Sequence, residues 1–200
     1  MGGLRILTHD RLVGRLTLCF WAVVLVSAGD DLVLPFLAAR DLDAGPLAVG
    51  VLLAGASVGL VIGLALMAWW GRHLAARSAI LFGFGLVGAG NLATAGAPVV
   101  AAAVAAQIVR GAGVAVFEPS VRTLLQRSVP RPVLGRVFAN VYGGVNLCAA
   151  ASYAIAGPLL DTTSPRVVFV LIGGGGLAVT AAAALLIPSG VPSRARPQGV

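Results

Sequence analysis

Six long apolar stretches set the possibilities for this chain: Leu16 to Leu37, Leu47 to Trp70, Ser78 to Ala97, Val99 to Leu125, Val137 to Leu160, and Val167 to Ile187. A helix that crosses a bilayer needs about 20 mostly apolar residues in succession, and every stretch meets that length. Four of the six carry no charged residue. Barrel strands are about half as long and alternate in polarity, which these stretches do not. Hydrocarbon offers no hydrogen bonds to a bare backbone, so only helices and closed barrels can span it. The predicted fold is therefore an all-α membrane protein with six transmembrane helices. Composition agrees, because 58% of the residues are hydrophobic and 10% are charged, whereas soluble domains carry about 25% charged residues.

The charges that remain read as topology signals. All 14 basic residues are arginine, and they fall between the apolar stretches. The net charge of +7 therefore points to membrane orientation and not to a nucleic-acid partner. One side receives Arg5, Arg11, Arg15, Arg72, Arg77, Arg122, Arg127, Arg131, Arg136, Arg194 and Arg196; the other receives Arg40 and Arg166; Arg110 lies within a stretch. An excess of this kind marks the cytoplasmic side, so both termini are expected in the cytoplasm and the protein in the cell membrane. The expected organisation is a cytoplasmic N-terminal segment over residues 1–15, a six-helix domain over 16–187 and a disordered cytoplasmic tail over 188–200. The run from Leu16 to Ala28 has some features of a secretory signal. The apolar stretch continues past Asp30 and Asp31 to Leu37, however, and losing one span would break the arginine pattern.

Small residues mark where helices can approach. Gly55, Gly59 and Gly63 recur every four residues, which places them on one helical face suited to close packing. Gly55-Ala56-Ser57-Val58-Gly59 also spells the G-x-S-x-G of a serine-hydrolase elbow, but the elbow needs a strand-to-helix turn. A helix would also set His73 about 24 Å from Ser57 along its axis, leaving the serine without a base. The expectation is that the chain is not an enzyme and uses no cofactor. Cys19 and Cys148 lie in apolar stretches without metal-ligand spacing and read as packing residues, and no metal site is expected.

Ionisable groups inside a span cost about 2.5 to 3.5 kcal/mol each on insertion scales, so their presence needs a reason. The first span contains Asp30 and Asp31; the fourth contains Arg110 and Glu118, with Gln107 one turn before the arginine. Entering from the cytoplasm at Leu16, the first helix would carry Asp31 roughly 22 Å across a core of about 30 Å. Arg110 would lie near the midplane, within reach of one of the aspartates directly or through water. Such a carboxylate can exchange a proton as its partner changes between Arg110 and a substrate. A permanent ion pair locking the two helices is the plainer alternative. Glu118 and Pro119 lie near the cytoplasmic end of the fourth span, where Pro119 can bend the helix. Glu118 is placed for a salt bridge to Arg122 or for a gate contact to another helix. Asn146 in the fifth span is a candidate cavity residue or an interhelical hydrogen-bonding group.

The run Arg110-Gly111-Ala112-Gly113 through Glu118-Pro119, then Thr123-Leu124-Leu125-Gln126-Arg127-Ser128-Val129-Pro130, Gly135-Arg136-Val137 and Ala156-Gly157-Pro158-Leu159-Leu160, resembles the fourth and fifth helices of a major facilitator superfamily repeat. The drug and siderophore exporters are the most similar branch. Six spans with both ends cytoplasmic would be one repeat-half of that fold. The resemblance implies proton coupling for Arg110 and antiporter bending for Gly157 and Pro158. Met67-Ala68-Trp69-Trp70 stands before Gly71-Arg72 where the family's loop carries an aspartate, and Tyr153 stands where its antiporter motif has glycine. Both departures are commoner in second halves, so the chain resembles a C-terminal half. It also implies that the first, second, fourth and fifth helices line a cavity while the third and sixth face lipid. A single half supplies only one wall of the path. The function implied is proton-coupled efflux of a small organic compound, with a second six-helix half or a homodimer as partner. A non-transporting truncated or accessory six-helix protein is the alternative.

Overall fold

A computed structural model describes residues 10–71 and 74–188. His9, His73, Arg5, Arg72, Arg194, Arg196 and the tail from residue 189 lie outside the described residues. Six membrane-length helices account for nearly all of the rest: α1 (Arg11–Asp41), α2 (Pro46–Trp70), α3 (Ala76–Ala95), α4 (Val100–Ser128), α5 (Arg131–Thr162) and α6 (Pro165–Leu186). Each overlaps one apolar stretch, and no strand is present among the described residues.

Several helices outrun their apolar stretches. α1 starts at Arg11, not Leu16, because the Asp10 carboxylate accepts hydrogen bonds from the N–H groups of Leu12 and Val13 at 2.9 and 3.2 Å. Such a cap satisfies donors that a helix start would otherwise leave open. α4 runs on to Ser128 and α5 begins at Arg131, so the arginines in those turns are helical. α1 is itself divided. An α-helix ends at Ser27, a second runs over Asp30–Phe36, and the π-helical turn Leu37–Asp41 closes it. Ala28 and Gly29 form the junction, immediately before the two aspartates.

Helix α4 is the centre of one side of the bundle, packed against α2 and α3. Gly55, Gly59 and Gly63 of α2 lie against Val104, Ile108 and Ala112 of α4. A Cβ on Gly63 would come within 2.6 Å of the Ala112 carbonyl oxygen, so a larger residue would force the helices apart. On the α3 face, Gly83 and Gly113 admit each other's helix in the same way. α3 also packs on α6, and α1 rests against α5 and α6. α1 and α4 hardly touch through their backbones.

The core has two apolar layers. Phe20, Phe84, Phe117, Val121 and Leu125 belong to the layer towards the Arg11 end of α1, where Phe117 meets Phe20 and Phe84 edge-on. Leu34, Leu37, Leu52, Leu160 and Phe169 belong to the layer towards the Asp41 end. Cys19 is buried in the first layer as a free thiol. Arginines fasten the two ends of the bundle. Arg15 and Arg77 donate to the last carbonyls of α6, at Leu186, Ala184 and Ile187. Arg166 donates to the Ala97 carbonyl at the opposite end. Besides carrying positive charge, these arginines close helix C-termini whose carbonyls lack partners.

The resemblance places α3 and α6 towards lipid. α3 lies between α4 and α6, so Ile80, Phe84, Val87, Asn91 and Thr94 are buried, while Phe82 lies on the exposed face of the helix.

Candidate functional site

Between the two apolar layers lies a polar one. Asp30 is 1% exposed, and its carboxylate receives two hydrogen bonds from the Arg110 guanidinium, Nε to Oδ2 and Nη2 to Oδ1, the latter at 2.6 Å. The same Nη2 lies 3.2 Å from Asp31 Oδ1. A planar guanidinium matches a carboxylate in this two-pronged way, which gives the pair direction as well as attraction. Arg110 therefore joins α1 to α4 across a gap that their backbones leave open.

The two adjacent aspartates face different surroundings. Asp30 turns inward, where Asn91 Nδ2 of α3 donates to its Oδ2 at 3.2 Å. Asp31 is 52% exposed and lines a cavity of about 340 Å³ between α1, α4 and α5. Phe20, Phe117, Tyr142 and Tyr153 share that cavity with Arg110 and Glu118. Its wall is thus apolar and aromatic, with charge at a few points, the common makeup of a small-molecule site.

Local packing aims Arg110. Gly90 of α3 faces its backbone, and a Cβ on Gly90 would sit 2.8 Å from Arg110 Cβ. Only a residue without a side chain lets α4 come near enough for the guanidinium to lie over Asp30. On α1, the Gly29 N–H donates to Ser152 Oγ of α5 at 2.9 Å, which fixes the junction preceding the aspartates. Trp21 secures the other half of α1 to α5, its indole N–H donating to the Val141 carbonyl at 2.9 Å over Gly144.

The remaining candidates divide. Gln107 is buried and donates through Nε2 to Thr94 Oγ1 at 3.2 Å, so it belongs to the polar layer without touching the ion pair. Glu118 bonds Arg122 at 3.2 Å on the exposed rim, and Arg122 in turn lies over the Tyr142 ring, linking α4 to α5. α4 continues as helix through Pro119, and α5 through Gly157 and Pro158. A Cβ on Gly157 would meet nothing within 4 Å, so no described neighbour requires glycine there. Asn146 does not line the cavity; it lies on the exposed face of α5. Ser57 donates to the Leu53 carbonyl one turn back, within α2 and away from any strand-to-helix turn.

Asn91 and Thr94 escape the reading of charges. They lie one turn apart in an otherwise apolar stretch, and a search for any hydrogen-bonding side chain buried in a span would find them. No cluster of potential metal ligands occurs among the described residues.

A six-helix membrane bundle with a charged pair bridging its first and fourth helices beside an aromatic cavity has the build of a transporter half. The sequence matches the Major Facilitator Superfamily over residues 19–200, and the chain belongs to that family. The family's members are transporters rather than enzymes, which makes this an integral membrane transport protein. Neither the curated proteins nor the solved structures gave a match.

Proposed function

We propose that the chain forms one wall of a proton-coupled exporter of small, fairly hydrophobic organic compounds, located in the cell membrane with both termini cytoplasmic. The observation that carries the reading is the Arg110 guanidinium shared between buried Asp30 and half-exposed Asp31. While Asp30 is ionised, Arg110 ties α1 to α4. A proton on Asp30 removes the charge that holds the arginine there, leaves Asp31 as its partner on α1, and lets the two helices turn against each other. Desolvation, a neighbouring cation and hydrogen bonds all influence whether a carboxylate keeps its proton, and this site combines all three. The aromatic wall beside Asp31 offers apolar area to a substrate.

The same aspartate supports a partner. A charge open to acyl chains would cost about 2.5 to 3.5 kcal/mol or more, so the Asp31 face has to meet water or protein. A second six-helix unit, either another copy or a separate half, would enclose it and complete the path.

The test is efflux of a panel of small hydrophobic compounds from cells expressing the chain alone or with a candidate partner half, at two external pH values. Asp30→Asn and Arg110→Ala are expected to abolish the pH-driven component. Full activity with unchanged pH dependence in both variants would remove the coupling reading. A stable monomer with no flux in any setting would favour a non-transporting accessory role.

A further inference from the structure

We propose that Asn91 reads the protonation state of Asp30, exchanging the donor and acceptor ends of its side-chain amide as the proton arrives and leaves. The inference rests on the proton-coupling reading of Asp30. Asn91 is wholly buried on α3, and the resemblance gives it no role.

Its two polar atoms have unequal situations. Nδ2 donates to Asp30 Oδ2, the arrangement an ionised carboxylate requires, because such a group can only accept. Oδ1 is buried and has no protein hydrogen-bond partner among the described residues. Buried acceptors left this way are uncommon and costly, which points to a second state in which the atom is used. Amide oxygen and nitrogen sit on the same carbon, so a half-turn about the last side-chain bond puts Oδ1 where Nδ2 now lies.

Protonation of Asp30 supplies the reason to turn. On acidification hydronium gives a proton to Oδ2 and leaves as water, forming a carboxylic O–H and removing the negative charge. The two bonds from Arg110 lose their charge assistance, and the O–H becomes a donor aimed at Asn91. After the half-turn Oδ1 accepts it. Arg110 stays protonated throughout and keeps Asp31, which its Nη2 already reaches at 3.2 Å. The two aspartates thereby divide the work, Asp30 binding the proton on the buried side and Asp31 retaining the arginine on the cavity side.

Other groups that could disturb the titration are few. Asp31 adjoins Asp30 on α1, Arg110 reaches it from α4, and Tyr142 and Tyr153 of α5 and Glu118 of α4 line the adjoining cavity. α2 contains no ionisable side chain. Arg77 and Arg166, the only charged residues of α3 and α6, are engaged at Ile187 and Ala97, at the helix ends.

Infrared difference spectroscopy on the full chain in liposomes, taken through acidification with asparagine side chains labelled in the carbonyl carbon, tests the exchange. The Asp30 band is the carboxylic stretch missing from Asp30→Asn, and the Asn91 band is the labelled amide stretch missing from Asn91→Leu. The expected result is that the Asn91 carbonyl band moves to lower wavenumber as its oxygen gains a donor, with the same midpoint as the Asp30 band. In Asn91→Leu the Asp30 band should still appear, shifted to higher wavenumber for want of an acceptor. An Asp30 band that titrates while the Asn91 band stays still would overturn the exchange and leave proton coupling standing. Absence of any Asp30 band across the pH range would remove both.

Discussion

Helices α3 and α5 have similar apolar credentials and opposite fates. Within the most apolar part of each, 56% of α3 is buried but only 17% of α5. The polar residues follow suit: Asn91 and Thr94 of α3 are enclosed and bonded, while Asn146 and Tyr153 of α5 are exposed. α3 is wedged between α4 and α6 by glycine contacts, whereas α5 touches chiefly α1. The difference sets a closely packed part, built of α2, α3, α4 and α6, against α5; α1 itself packs on both α5 and α6 and is bonded to α4 by Arg110. Tight packing suits the element that must hold Asn91 and the arginine in register. A sparsely held helix suits motion.

The largest expected effect tests the connection itself. Arg110→Ala leaves the Asp30 carboxylate buried without its cation, and breaking such a pair costs about 3–5 kcal/mol. Detergent-solubilised protein should lose stability by that order at neutral pH, and Arg110→Gln combined with Asp30→Asn should recover much of it. Failure of the double variant to recover would mean that the ion pair is not what holds α1 to α4.

Glycine substitutions sharpen the contrast next. Gly83→Leu should overpack the α3–α4 contact, where even a Cβ would lie 2.6 Å from Phe117 Cβ, and cost about 1–3 kcal/mol or more in thermal unfolding. Gly157→Ala on α5 meets no neighbour and should stabilise by about 0.5–1 kcal/mol through reduced backbone freedom. Equal losses at both positions would erase the distinction.

Trp21→Phe removes the indole hydrogen bond to Val141 and should cost about 1 kcal/mol. Its more telling measurement is hydrogen exchange, which should rise in α1 and α5 and stay unchanged in α3. Smallest of all, Glu118→Gln weakens an exposed ion pair, and a change under about 1 kcal/mol is expected. A larger change would show that the rim of the cavity restrains α5 more than its exposure implies.

Much of the fold was legible without coordinates. Length and hydropathy suffice for six spans, since hydrocarbon leaves a backbone few options. The helix ends were less legible. Asp10, a residue outside the apolar stretch, starts α1, and α4 runs on through Gln126, Arg127 and Ser128 because hydrogen-bonded backbone tolerates polar side chains once it leaves the hydrocarbon. At the site, Asp30, Asp31 and Arg110 stood out through the cost of charge in lipid. Asn91 did not, because a neutral amide carries a smaller penalty and asparagine often does nothing more than join helices. Asn146 looked as good a candidate as Gln107, yet one is exposed and the other enclosed.

From residues alone came the solvent, the number of crossings and the types of group that would have to justify themselves inside the bilayer. These follow from transfer free energies, which depend on local composition. Tertiary structure decided which aspartate is buried, which neighbour donates to it and which helices pack closely. Those outcomes depend on the rotation of each helix about its axis and on where glycine lets two backbones meet. Gly90 shows the point: its spacing says only that packing is possible, while its place opposite Arg110 brings a guanidinium onto Asp30.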